Sequence, residues 1–189
     1  LMALSFLPVH GEREVYDTVV RLHVLANSDS EADQALKLKV RDAVLEVSAP
    51  MVEDCATQAE AVDTLTTHLA ELEAAASAVI AAEGYDYPVT VLLGEEDYPT
   101  RTYESCAFPA GTYVSLRVLI GSGEGQNWWC CLFPPLCLSA ATANSEKDNE
   151  DAFIQVGLTK DQYGIITETG KTKYKVRFKL LEVLEDWFG

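Results

Sequence analysis

The chain has 189 residues, enough for one domain with a sizeable core. Hydrophobic residues make up 48% and charged residues 23%, a globular composition that excludes disordered and fibrous classes. Thirty acidic residues against 14 basic ones give a net charge of −16, which opposes general binding to nucleic acid and to anionic membranes.

Residues 1–7 (LMALSFL) are apolar and uncharged and lack the basic flank of a complete signal peptide. Residues 1–18 read as an N-terminal arm or the remnant of an export or anchor segment, and residues 19–189 as a single α+β domain. No apolar run approaches the ~20 residues that span a bilayer.

Residues 19–26 (VVRLHVLA) alternate as a strand, with Val20, Leu22, Val24 and Ala26 on one face and Arg21, His23 and Leu25 on the other. Asn27-Ser28-Asp29-Ser30 ends it. Ser28 with Glu31, and Ser30 with Asp33, both have capping-box spacing. The apolar stripe Leu36, Val40, Ala43, Val44 and Val47 predicts a helix to about residue 48, stopped by Pro50. A second long helix is predicted from Thr57, which is paired with Glu60, to Gly84. Its stripe is Val62, Leu65, Leu69, Leu72, Ala76, Val79 and Ile80. Short strands follow at 89–93, 112–120 and 127–133, with a hairpin turn at 121–125 and Pro134-Pro135 ending the last strand. Residues 140–151 read as a loop, and residues 155–169 carry no clear pattern. Residues 171–180 alternate strictly: Lys171, Lys173, Lys175, Arg177 and Lys179 face one way, Tyr174, Val176, Phe178 and Leu180 the other. The tail, 181–188, reads as a helical turn or a strand extension. The order predicts a mostly antiparallel sheet with two long helices packed on one face.

Few residues suggest chemistry. The five cysteines form no CxxC and no zinc-finger spacing, so no metal site and no cofactor is expected. A nucleophile would need Cys130 with His23 as its base on a neighbouring strand; against this stands a structural cysteine beside a hydrogen-bonded strand histidine. The acidic runs Glu95-Glu96-Asp97 and Glu182, Glu185, Asp186 read as solvated faces, with no EF-hand spacing. The glycine run lacks the lysine and Ser/Thr of a phosphate loop. The basic face at Lys173, Lys175 and Arg177 is either a solvated sheet face or a docking stripe for an acidic partner or lipid headgroups.

The segment 125–138, GQNWWCCLFPPLCL, is the most unusual. Trp128 and Trp129 point to opposite faces of one strand, so they serve either core packing or an interface. With Phe133, Pro134 and Pro135 they supply the rigid, large surfaces of a binding hot spot. Cys130 and Cys137 bracket the proline turn, a spacing compatible with a disulfide.

The stretch VVRLHVLANSDSEADQALKLKVRDAVL (19–45) resembles the N-terminal motif of the stage II sporulation protein R family. FPAGTYVSLRVLIGSGEGQNWWCCLFPPLCL (108–138) and KYKVRFKLLEVLED (173–186) also match it, with YPVTVLLGEEDYPTRTY (87–103) in order between them. The resemblance implies a signal exported from the forespore into the intermembrane space. There it would activate a membrane-embedded aspartic protease of the stage II sporulation protein GA type, which processes a mother-cell sigma factor precursor. It implies a binding protein and no enzyme, with Cys130 and Cys137 matching the family's cysteines. The competing readings are a Cys/His hydrolase and a wall-binding module in the same space. The oligomeric state is left open by the sequence.

Overall fold

The computed structural model describes residues 15–102 and 107–134. Among them the chain order is β1 (Val20–Leu25), α1 (Glu31–Glu53), α2 (Gln58–Thr67), α3 (Leu69–Ala82), β2 (Val89–Tyr98), β3 (Arg101–Thr102), β4 (Ala107–Phe108), β5 (Gly111–Ile120) and β6 (Asn127–Phe133). The fold is α+β, as the sequence predicts. The sheet order is β2-β5-β1-β6, with β2–β5 and β1–β6 antiparallel and β1–β5 parallel. The sheet is thus mostly antiparallel, as expected, and the single parallel pair β1–β5 makes it mixed. The chain leaves β1 through the helices and β2 and returns as β5 beside β1 in the same direction. The predicted hairpin at 121–125 is therefore not a hairpin: β5 and β6 are separated by β1, and the glycine turn passes over the end of β1. The β3–β4 ribbon continues the β2–β5 hairpin, with Tyr98 opposite Gly111 and Arg101 opposite Phe108.

Local chemistry sets the helix ends. Ser30 is the N-cap of α1, and its hydroxyl accepts from Asp33 N–H at 3.1 Å, so the second of the two predicted boxes is the one that caps. The helix runs past Pro50 to Glu53, five residues beyond the expected end. Proline removes one hydrogen bond, but here that loss falls in the last turn, where buried Val52 still anchors the backbone.

Thr57 caps α2 as predicted, accepting from Glu60 N–H at 3.2 Å, while the Glu60 carboxylate accepts from Ala56 N–H at 2.7 Å. The single helix expected from there to Gly84 is two. At the break, Thr67 Oγ1 donates to Thr64 O (2.8 Å), and His68 Nδ1 sits 2.8 Å from the same carbonyl. Hydroxyl and imidazole compete with backbone amides for carbonyls there, which interrupts the helical ladder. Gly84, at φ +81°, ends α3 with its N–H bonded to Ala81 O.

All three helices lie on one sheet face. Leu36, Val40, Val44 and Val52 of α1, Ala61 and Leu65 of α2, and Leu72, Ala76 and Ile80 of α3 close on Val20, Leu22, Val24, Val91, Leu116, Val118 and Ile120. Burying such side chains is worth roughly 1.5–3 kcal/mol each. A register shift between Val20 and Arg21 turns both Leu132 and Phe133 of β6 into this core.

Candidate interaction site

The end of β1 and the start of α1 form a hydrogen-bonded clasp on the glycine turn. Asn27 Oδ1 accepts from Ser122 N–H at 3.0 Å, and Asn27 O accepts from Ser122 Oγ at 2.7 Å. Asp29 Oδ1 accepts from Gln126 N–H at 2.7 Å, and Lys37 Nζ donates to Gln126 O at 2.9 Å. Behind this, Asn27 Nδ2 and Ser28 Oγ donate to Asp33 Oδ2 at 3.0 and 2.5 Å. Those two bonds hold the Asp33 carboxyl below its ordinary value, while burial lowers the Lys37 ammonium. The turn needs glycine: a Cβ on Gly125 would stand 2.3 Å from Ser28 O.

The centre of the sheet face away from the helices is polar and aromatic, yet buried. Arg21 is fully buried, and its guanidinium lies 4.5–5.1 Å from the ring centres of Phe108, Tyr98 and Tyr113. Its Nε–H donates to Cys130 O at 3.1 Å. His23, beside it, has Glu96 Oε1 at 2.9 Å from Nδ1 and Asn127 Oδ1 at 2.8 Å from Nε2, and it stacks on Trp129. Tyr98 and Ser115 share a 2.6 Å hydrogen bond, and burial pushes the Tyr98 phenol well above its ordinary range.

The predicted nucleophile pair is not assembled. Cys130 sits opposite Leu22 and faces the helical core, whereas His23 sits opposite Trp129 on the other face. Cys130 is also disulfide-bonded, so it carries no thiolate.

The two tryptophans divide as their alternation demands. Trp129 is half-buried against His23. Trp128 is exposed and stacks on the Arg41 guanidinium of α1, 4.4 Å from its ring centre. Phe133 belongs to the core, and Pro134, joined to it by a cis peptide, is buried. Pro135, Cys137, Lys173, Lys175 and Arg177 lie outside the described residues, as do residues 1–7, 140–151, the segment 171–180 expected as a strand, and the tail.

The model of the stage II sporulation protein R family matches residues 16–143. The chain is also 38% identical over 185 residues to the stage II sporulation protein R of Bacillus subtilis (strain 168), covering 92% of this chain and 83% of that protein. The chain belongs to the stage II sporulation protein R family. A role in sporulation follows from that membership. No solved structure matches it. No helix of the described residues is long and apolar enough to cross a membrane.

In this family member the two longest motifs of the resemblance, 19–45 and 108–138, meet in space. The N-terminal motif supplies β1 and the clasp residues Asn27, Asp29 and Lys37. The later motif supplies the turn they hold and the strand that displays Trp128. Sequence reading missed Arg41 as the partner of Trp128, and it missed Arg21 as a buried ion. The signal for Arg21 was a lone arginine on a strand with aromatic residues on three other strands, a long-range juxtaposition that no local pattern reveals.

Proposed function

We propose that this protein is an exported signal that binds and activates a membrane-embedded aspartic protease of the stage II sporulation protein GA type. The protease would then process a mother-cell sigma factor precursor. The observation that carries the reading is the Trp128–Arg41 pair. Tryptophan and arginine dominate binding hot spots, and a tryptophan held flat by a guanidinium loses little freedom on contact. Such a ligand must favour the receptor's active state, by about 1–3 kcal/mol in typical couplings. It needs a rigid surface and no catalytic set. The separation of Cys130 from His23 fits that requirement and disfavours the hydrolase alternative.

The test is reconstitution. Purified protein is added to membranes carrying the protease and the precursor, and cleavage is followed with dose. Wild type should raise cleavage to saturation. Trp128→Ala, with an unchanged melting temperature, should shift the dose for half-maximal cleavage upward by about tenfold or more, the cost of losing a hot-spot residue. Cleavage that never exceeds the protein-free control removes the signalling assignment.

A further inference from the structure

We propose that the outer edge of β2 takes a basic, extended segment of a partner protein by strand addition. The proposal rests on the reading that this chain acts by binding protein. Among the described residues β2 ends the sheet, with β5 on its inner side and no strand on its outer side. Val91 N–H points outward, since it donates to Glu73 Oε2 of α3 at 3.1 Å. The β2–β5 register is continuous from Val89 to Tyr98. Alternation then turns the amides and carbonyls of Leu93, Glu95 and Asp97 outward as well. The carboxylate at Val91 closes one end of this edge and leaves the stretch from Leu93 to Asp97 for an incoming strand. Five residues is an ordinary strand length.

The side chains along this stretch define the occupant. Glu95 and Asp97 are exposed on one face, and Leu92 is 41% exposed on the other. Glu96 shares the Leu92 face, with its carboxylate held by His23. A strand added here gains by alternating basic residues beside Glu95 and Asp97 with apolar residues beside Leu92. Pairing of two β2 edges with each other is disfavoured, because an antiparallel pair about Glu95 sets acid against acid.

The probe is a capped ten-residue peptide alternating lysine and valine, with a glutamate–valine peptide as control. Hydrogen exchange of the full chain is read residue by residue. The lysine peptide should slow exchange at Leu93, Glu95 and Asp97, and the glutamate peptide should not. Glu95→Pro removes an outward N–H without touching the β5 ladder, so it should keep the fold and abolish the protection. The pair Glu95→Lys/Asp97→Lys should weaken binding by about tenfold or more, whereas Glu46→Lys/Asp63→Lys, with the same change of net charge on the helices, should leave it within about twofold. Equal loss in both pairs would reduce the effect to bulk attraction and overturn the proposal. So would amides already protected before peptide is added, which would place another segment or a second copy on the edge. If Glu95→Pro activates the protease normally, strand addition is not how that receptor binds, while the signalling reading stands.

Discussion

Asn27 and Ser122 are joined twice across 95 positions of sequence, once through the Asn27 side chain and once through its backbone carbonyl. This double bond of residues fixes where β6 begins relative to β1 and α1. Because β6 starts at Asn127 and Trp128 follows at once, the clasp also sets the height of Trp128 above Arg41.

Asn27→Ala removes the acceptor for Ser122 N–H and one of the donors to Asp33. It should destabilise the domain by about 1–3 kcal/mol, the usual cost of orphaning partly buried polar groups. Urea denaturation gives the number. Ser122→Ala removes only the exposed hydroxyl bond and should cost about 0.5–1.5 kcal/mol. Both should lower the apparent affinity for the proposed receptor, because both loosen the seat of Trp128.

Asp33 makes stability depend on acid. Ser28 and Asn27 hydrogen-bond its ionised form and hold its folded pKa below the ordinary 3.8. A carboxyl depressed on folding contributes stability that is fully present above 3.8 and is lost as pH falls through the lower folded value. Urea midpoints measured from neutral pH down through that window should fall for wild type. In Asp33→Asn this part of the fall should be missing, with lower stability at neutral pH from the start. An unchanged acid slope would show that other carboxylates govern the transition.

These features were unequally visible in the sequence. Strand alternation around Leu22 and Leu116, the caps at Ser30 and Thr57, and the stop at Gly84 are local, and the structure has them where the pattern put them. The parallel pairing of β1 with β5 was hidden, because a glycine turn has the same composition whether it joins neighbours or crosses an intervening strand. Arg21 and His23 alternate with apolar residues, a pattern that places them on the face opposite Leu22 but does not show whether that face is covered. Their burial depends on Tyr98, Phe108, Tyr113 and Trp129, which arrive from three later strands and the ribbon. The break at His68 was hidden for a different reason, since the apolar stripe continues across it from Leu65 to Leu69 and Leu72. Of the candidate contacts, Trp128 is exposed because it lies on the helix side of the sheet but at its margin, over Arg41. Phe133 was drawn into the core by the register shift.

Arg21 organises the aromatic face. Arg21→Met keeps an unbranched stem but removes the charge that three rings surround, and with it the bond to Cys130 O. Arg21→Lys keeps the charge but loses the planar stack and the Nε donor. Leaving a poorly paired ammonium in this site should cost about 3 kcal/mol or more, so the lysine variant should be the less stable of the two. Thermal melts of both variants decide this. A lysine variant as stable as wild type would show that charge alone holds the face together.

Cysteine pairing gives the sharpest test of the segment after β6. Cys130 is disulfide-bonded, and Cys55 and Cys131 are not in disulfides. Cys131 is buried, with its Sγ–H directed at Phe133 O, 3.2 Å away, whereas Cys55 is half-buried between Met51 O and Thr64 Oγ1. Alkylation of the native protein should therefore label Cys55 before Cys131, which should react only on unfolding. Peptide mapping without reduction should recover Cys130 linked to Cys137. A bond closing so short a loop contributes about 2–3 kcal/mol in the chain-entropy account. Cys130→Ser and Cys137→Ser should each lose about that much, and the double variant should lose no more than either one, because both substitutions remove the same bond. Additive losses, or a Cys130 peptide linked to Cys106, would refute the pairing. Since the disulfide begins at a core-facing residue two positions after Trp128, its loss should also raise the protein dose needed for half-maximal activation of the proposed protease partner, even where the fold survives.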